Sequence, residues 1–95
     1  MTYKLQFHKK ALKEWAKIDS KIKEQFKKKL KERLENPKVP KDKLSGFEDV
    51  YKIKLRNAGF RLAYQVKDEE IVVIVLAVGK RKNDKIYKLL DSKFD

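Results

Sequence analysis

The sequence predicts an α+β fold: an N-terminal strand and a helical hairpin packed on an antiparallel β-sheet, with a further helix at the C-terminus. Two observations support this prediction. Apolar residues recur at three- and four-residue steps through most of residues 8–34, as in amphipathic helices. Between residues 50 and 78, three strand-like segments are separated by gaps short enough for hairpins. The 95 residues suffice for one small core, so we treat residues 1–95 as a single domain.

The first element is a predicted strand with one buried face, because Tyr3, Leu5 and Phe7 alternate with polar residues. A first helix is predicted over residues 8–18. Its apolar residues form a single stripe: Ala11, Leu12, Trp15 and Ile18.

Asp19 and Ser20 supply a break and a candidate N-cap for a second helix, which we expect to end near Asn36-Pro37. Its apolar residues fall at every fourth position: Ile22, Phe26, Leu30 and Leu34. The short connection should make the two helices antiparallel neighbours. Residues 37–49 contain both prolines and predict a loop. Its apolar anchors are Val39, Leu44 and Phe47.

Three further strands are predicted at residues 50–56, 60–66 and 71–78. The last is apolar on both faces, which is typical of a central strand, and Gly79 should end it. Asn83 is a candidate cap for a final helix. That helix would carry the apolar residues Ile86, Leu89 and Leu90, with Tyr87 at its flank.

Positive charge dominates the composition: 26 Lys and Arg against 14 Asp and Glu, for a net charge of +12. The excess runs along the whole chain, which favours a polyanionic partner such as nucleic acid. The longest apolar run has eight residues, against about 20 needed to cross a bilayer, so we expect a soluble protein without a membrane partner. The absence of cysteine and of a signal-peptide pattern favours a cytoplasmic location.

A cationic strand face is the strongest functional signal. In residues 51–56, apolar and cationic residues alternate, so Lys52, Lys54 and Arg56 should share one side of the strand. The next strand places Arg61 on the same side if both apolar faces meet one core. A two-residue loop at Asn57-Ala58 would set Lys54 opposite Arg61, whereas a three-residue loop with a glycine bulge would not. The hydrophobic pattern favours the first pairing.

Other catalytic groups are few. His8 is the single histidine, so a two-histidine acid/base pair is excluded, and its position suggests a capping or exposed role. The run Asp68-Glu69-Glu70 is typical of a solvated turn rather than of a metal site, and we expect no metal and no cofactor. We expect Trp15 to be a core residue rather than a platform on which a base stacks. For Tyr87 a core position and a base-stacking role both stay open.

These residues resemble the RelE toxins of bacterial toxin–antitoxin systems, within the RelE/ParE superfamily. The likeness runs from Ala11-Leu12-Lys13-Glu14-Trp15 through residues 43–46, 51–56, 59–62 and 64–66 to Val78-Gly79-Lys80-Arg81 and Tyr87. It implies an endonuclease that cuts messenger RNA in the ribosomal A site and halts translation. The active residues that it implies are Lys52, Lys54, Arg61, Arg81 and Tyr87. Ser45 departs from relatives that place a basic residue there, so an auxiliary phosphate contact is expected to be missing.

The residues support a metal-free mechanism. Lys54 is the candidate base, since neighbouring cations favour its neutral form. Lys52 and Arg61 would hold the scissile phosphate, while Arg81 would stabilise the leaving oxygen and Tyr87 would stack on a base or orient the hydroxyl. The expected product is a 2′,3′-cyclic phosphate.

The resemblance also implies partners: a RelB-like antitoxin, the ribosome with its rRNA and mRNA, and operator DNA reached through the antitoxin complex. The basic residues expected to contact RNA are Lys10, Lys13, Lys17, Lys21, Lys27, Lys28, Lys31, Arg56 and Lys80. Two alternatives stay open. The first is a ParE-like gyrase inhibitor, which is disfavoured because such relatives generally lack the cations Lys52, Lys54, Arg61 and Arg81. The second is a non-catalytic nucleic-acid-binding module, for which the basic composition alone would be sufficient.

Overall fold

The structure is a computed structural model that describes residues 2–80. It confirms the α+β class, with two helices beside a four-stranded sheet. The elements are β1 (Lys4–Phe7), α1 (Lys9–Lys17), α2 (Ser20–Glu35), a 3-10 turn (Pro40–Asp42), β2 (Val50–Leu55), β3 (Phe60–Lys67) and β4 (Val72–Lys80). The predicted C-terminal helix lies outside the described residues. Neither described helix is long and apolar enough to cross a bilayer.

The predicted antiparallel sheet is confirmed for β2, β3 and β4, and the N-terminal strand β1 makes the whole sheet mixed. Its strand order is β1-β4-β3-β2. The last three strands form an antiparallel meander, but β1 joins the same sheet parallel to β4, with Lys4 opposite Val72. Alternation within a strand reports which face is buried and carries no information about the neighbouring strand. The parallel pairing was therefore invisible in the sequence.

Both helices begin where the sequence predicts. His8 caps α1, and its Nδ1 accepts a 3.3 Å hydrogen bond from the backbone N–H of Lys10. Asp19 caps α2 in the same way through the N–H of Lys21. Such caps satisfy backbone donors that the first helical turn leaves open. The predicted capping role of His8 is confirmed.

The main core lies between the helices and one face of the sheet. From α2, Phe26 and Leu30 are fully buried, as the four-residue spacing predicts. Trp15 packs between Phe7 and Phe26, with ring centroids 5.2 Å and 6.1 Å away, so it is a core residue. This contact joins α1 to both α2 and β1.

Two apolar residues expected in the buried stripes are exposed. Leu5 on β1 is 37% exposed and Leu12 on α1 is 52% exposed. β1 is an edge strand of only four residues, which limits what can cover it. On α1, Ala11 faces the sheet and takes the buried position, and Leu12 lies one residue round the helix from it. The predicted apolar stripe of α1 was therefore too wide, because it included both Ala11 and Leu12 and only Ala11 is buried.

A β-bulge in β4 changes which residues share a face. Ala63 pairs with Ala77 and Tyr64 with Val75, so Leu76 has no direct partner on β3. Beyond the bulge the strand continues, with Gly79 opposite Arg61 and Lys80 opposite Phe60. The prediction that Gly79 ends the strand is therefore wrong, because the extended pairing to β3 outweighs the low strand preference of glycine.

Candidate active site

The pairing of Lys54 with Arg61 is confirmed. The two residues lie directly opposite each other on β2 and β3, so their side chains leave the same face of the sheet. The connection is four residues long, from Arg56 to Gly59, rather than two. Gly59 has φ of +70°, and its N–H donates to the Leu55 carbonyl at 2.9 Å. This tight turn preserves the register that the hydrophobic pattern predicts.

The alternation in β2 separates charge from core. Tyr51, Ile53 and Leu55 are at most 4% exposed and belong to the main core. Lys52 and Lys54 are half-buried on the opposite face, and Arg61 on β3 is half-buried beside them. Because both strands are fixed by ladder hydrogen bonds, the three cations are held in place by the backbone of the sheet. A single phosphate group on this face would meet converging positive charge.

A second, smaller hydrophobic core lies on the same face of the sheet as Lys52, Lys54 and Arg61. It contains the buried residues Leu44, Val50, Ala63, Leu76 and Ala77, with Phe47 and Ile74 packed against them. Leu44 and Phe47 come from the loop before β2, as the predicted anchors. Ala63 is opposite Lys52 and is fully buried, so the cations border apolar surface. Electrostatic interactions are stronger beside apolar surface than in open water.

A cationic cleft runs along the outer edge of β2, between that strand and α2. We call it the α2–β2 cleft. It has a volume of about 370 Å³ and is lined by Lys29, Arg33, Lys41, Asp42, Lys52, Ile53, Lys54 and Arg56. Lys52 and Lys54 therefore border both the sheet face and the cleft. Sequence reasoning missed Lys29, Arg33 and Lys41. The spacing of Lys29 and Arg33, one helical turn apart and each three residues beyond a buried apolar residue, was the available signal.

Arg33 holds one wall of the cleft in place. Its guanidinium donates to the Asp42 carboxylate at 2.5 Å, to the Tyr64 hydroxyl at 3.0 Å and to the Lys52 carbonyl at 3.4 Å. Burial lowers the pKa of Arg33, but the hydrogen bonds and charges of Tyr64 and Asp42 outweigh it, and the net pKa is raised. Arg33 is therefore a permanent cation that joins α2, the 3-10 turn, β2 and β3.

Tyr64 completes this network from inside the core. It is fully buried, and its hydroxyl donates a 2.6 Å hydrogen bond to the Pro37 carbonyl while accepting from Arg33. Its ring stacks on Tyr51 with a centroid distance of 5.8 Å. Burial raises the pKa of the Tyr64 hydroxyl, and the neighbouring guanidinium opposes this only in part. The hydroxyl is thus a neutral structural donor.

The remaining predicted residues are more scattered. Arg56 is exposed and lines the α2–β2 cleft. The helix lysines expected to contact RNA are all exposed: Lys10, Lys13, Lys17, Lys21, Lys27, Lys28 and Lys31. Lys17 and Lys80 line a separate depression with Glu14 and Asp19, on the helix side of the sheet. Arg81 and Tyr87 lie outside the described residues, so their predicted convergence with Lys54 stays a prediction.

The acidic turn after β3 is not merely solvated. The carboxylate of Asp68 accepts hydrogen bonds from the Tyr3 hydroxyl, at 2.7 Å, and from the Lys38 ammonium. The hydrogen bond from Lys38 is the main reason that the pKa of Asp68 is lowered. Between residues 2 and 80, no three Asp, Glu, His or Cys side chains are grouped closely enough to hold a metal ion.

Comparison with known proteins shows the family to which the chain is similar. Residues 5–85 match the family described as the ParE toxin of type II toxin–antitoxin systems, parDE. Among curated proteins, the chain is 54% identical to the mRNA interferase toxin RelE of Escherichia coli strain K12, over 92% of each chain. It is 50% identical to a putative RelE-like toxin protein of E. coli, over 98% of each chain.

Solved structures give the same result. A mutant of the E. coli toxin RelE in the free state superposes with a TM-score of 0.90 at 49% identity, covering 98% of both chains. The toxin chain of the intact E. coli RelBE toxin–antitoxin complex has a TM-score of 0.80 at 56% identity, with 82% of this chain and 95% of that chain covered. With near-complete coverage and half of the residues identical, the chain belongs to the RelE/ParE toxins of type II toxin–antitoxin systems, as a RelE-type member.

Proposed function

We propose that this toxin is an endoribonuclease that cleaves messenger RNA in the ribosomal A site and so stops translation. The observation that carries the proposal is the Lys54–Arg61 pair, held face to face on adjacent strands with Lys52 beside it. The relative that is 54% identical carries the name mRNA interferase, which identifies the same class of substrate. A sheet face with three convergent cations suits a phosphodiester, whose negative charge increases during cleavage.

The chemistry requires three roles. Lys54, in its neutral form, accepts the proton of the ribose 2′-hydroxyl, which then attacks the adjacent phosphorus. Lys52 and Arg61 bind the non-bridging oxygens and stabilise the charge that develops on them. Arg81 stabilises the departing 5′-oxygen, and Tyr87 stacks on a base or orients the attacking hydroxyl. The bond from phosphorus to the 5′-oxygen breaks, and that oxygen takes a proton from solvent water, which leaves a 2′,3′-cyclic phosphate and a 5′-hydroxyl.

Lysine is a weak catalyst compared with a histidine pair, so the ribosome has a role in positioning. Correct orientation of reacting groups contributes up to about 7–11 kcal/mol to lowering a barrier. The exposed lysines of α1 and α2 offer positive charge to ribosomal RNA. A RelB-like antitoxin binds this toxin, in line with the RelBE toxin–antitoxin complex known for the E. coli relative. Through that antitoxin the toxin reaches operator DNA.

The test is to map messenger RNA ends after brief expression of the wild-type toxin and of Arg61→Ala and Arg81→Ala. New ends within translated codons are expected for wild type, and both variants should cut at least about 10²-fold less. Lys67→Ala is the matched control for Arg61→Ala, because it removes one exposed cation from the far end of the same strand. Equal cutting by wild type and both arginine variants would defeat the catalytic assignment. DNA damage without RNA cleavage would favour gyrase inhibition.

A further inference from the structure

The α2–β2 cleft contains cations that the proposed chemistry does not use. Lys29 comes from α2 and Lys41 from the 3-10 turn, and both are exposed on the outer side of β2. Arg61, by contrast, lies one strand further into the sheet. If the scissile phosphate lies between Lys54 and Arg61, Lys29 and Lys41 have no role in the reaction itself.

The lining of the cleft indicates the kind of ligand. Six of its eight residues are cations, against one carboxylate and one apolar residue, Ile53. Small-molecule pockets are mainly apolar with a few polar groups, so this cleft does not fit that class. The single carboxylate, Asp42, is occupied by Arg33. Within residues 2–80, no acidic side chain lies within ion-pair distance of Lys29 or Lys41.

Contacts within the protein hold the walls of the cleft in place without a ligand. Arg33, whose side chain is 15% exposed, bridges α2 to the 3-10 turn and to the Lys52 carbonyl. These contacts fix the distance between the walls that carry Lys29, Lys41 and Lys52. Concentrating like charges costs stability, and an anionic chain lying between the walls would relieve it.

We propose that the α2–β2 cleft binds the sugar–phosphate backbone of single-stranded RNA next to the cleaved linkage, with Lys29 and Lys41 each contacting a flanking phosphate. This proposal rests on the proposed function, because it takes the RNA strand to enter past Lys52 and Lys54. Lys29 and Lys41 contribute to binding and to its dependence on salt, and not to the chemical step.

The test measures affinity of the full-length toxin for a single-stranded RNA oligonucleotide with 2′-O-methyl riboses, which cannot be cleaved through the 2′-oxygen. Fluorescence anisotropy over a range of salt concentrations compares wild type with Lys29→Ala/Lys41→Ala. The logarithm of the association constant falls as the logarithm of the salt concentration rises. Losing two phosphate contacts should make this slope less steep by about 1.4 and weaken binding roughly tenfold at 0.15 M salt. Lys29→Arg/Lys41→Arg should restore both.

A matched control separates the cleft from net charge. Lys4→Ala/Lys67→Ala removes the same charge from two exposed residues, both opposite Val72 at the other end of the sheet from the Arg56 turn. If this control loses as much affinity and slope as the cleft variant, or if the cleft variant binds like wild type, the proposal is overturned. The proposed function is tested by a different experiment, and it is wrong if the wild-type toxin leaves translated messenger RNA intact. The salt comparison decides the proposal about the cleft in either case.

Discussion

Lys54 and Arg61 derive their proposed roles from position rather than from residue type. The chain carries 26 lysines and arginines, and most of those described are exposed on helices and turns. Lys54 differs because it is half-buried and paired in register with a second cation on a rigid strand. Lys54 is therefore the proposed base, because a lysine, unlike an arginine, can lose its proton in a protein.

Replacing Lys54 with arginine separates charge from proton transfer. The Lys54→Arg variant keeps a cation beside Arg61, but a guanidinium does not give up its proton at any pH the protein tolerates. We expect the rate of messenger RNA cleavage on ribosomes to fall by about 10²–10⁴-fold, the usual contribution of a general base. Single-turnover cleavage measures this, with Lys67→Arg as the control. Near-wild-type cleavage by Lys54→Arg would show that Lys54 acts only through its charge.

Asp68 gives a residue-level prediction about pH. Because its pKa is lowered in the folded state, mainly by the hydrogen bond from Lys38, its contribution to stability is present above the ordinary carboxyl pKa. That contribution is lost as the pH falls through the lowered value. The difference in stability between wild type and Asp68→Asn should therefore be largest near neutral pH and shrink below about pH 4.

Urea unfolding at pH 7 and pH 3 measures that difference. Glu69→Gln, at the neighbouring exposed position, is the control and should differ little from wild type at either pH. A stability difference for Asp68→Asn that is the same at both pH values would contradict the assigned role of the carboxylate.

At the scale of elements, β2 depends on α2 for its position. It is an edge strand of the sheet, and Arg33 reaches from α2 to the carbonyl of Lys52. Residues 43 and 44 pair with the other half of the strand, through the Lys43–Tyr51 bridge and the hydrogen bond from the Leu44 N–H to the Val50 carbonyl. The edge that carries two proposed active-site lysines is thus held from outside as well as by β3.

Removing Arg33 should therefore destabilise the fold. Arg33→Ala leaves Asp42 without its partner and the Lys52 carbonyl without a donor, which should cost about 2 kcal/mol of unfolding free energy. Lys29→Ala, one turn earlier on the same helix and exposed, should change it by less than about 0.5 kcal/mol. Chemical denaturation measures both. A loss for Arg33→Ala no larger than that for Lys29→Ala would contradict the assigned role of Arg33.

The elements also show where sequence reasoning succeeds. The alternation in residues 51–55 and 60–66 predicted the buried faces of β2 and β3 and the Lys54–Arg61 register, because period-two burial depends on local geometry. The four-residue spacing in α2 likewise predicted Phe26 and Leu30 in the core. These signals are strong wherever one face of an element is buried.

Other features depend on partners distant in sequence and could not be predicted. The parallel position of β1, the bulge at Leu76 and the exposure of Leu12 are decided by how complete elements pack. The α2–β2 cleft was missed for the same reason. Helical spacing places Lys29 and Arg33 on one side of α2, but nothing in the local sequence shows that this side and the 3-10 turn with Lys41 meet the edge of β2.

Across the whole molecule, charge is unevenly placed. Carboxylates gather around a depression of about 380 Å³ at the end of the sheet where β3 turns into β4, lined by Glu48, Asp49, Asp68, Glu69 and Glu70 among others. The cationic cleft lies along β2 towards the opposite hairpin. A net charge of +12 attracts RNA in any orientation, but this separation of charge favours approach by the edge that carries Lys52 and Lys54.

We propose that this cationic site cleaves RNA by attack of a 2′-hydroxyl. The most direct measurement uses ribosomes programmed with a messenger RNA that carries a single 2′-deoxy nucleotide on the 5′ side of the mapped cut. Purified wild-type toxin should cut the all-ribose message and leave the substituted linkage intact, with a 2′,3′-cyclic phosphate on the product of the first. Cutting of the 2′-deoxy linkage at the same rate would show that the 2′-hydroxyl is not the attacking group.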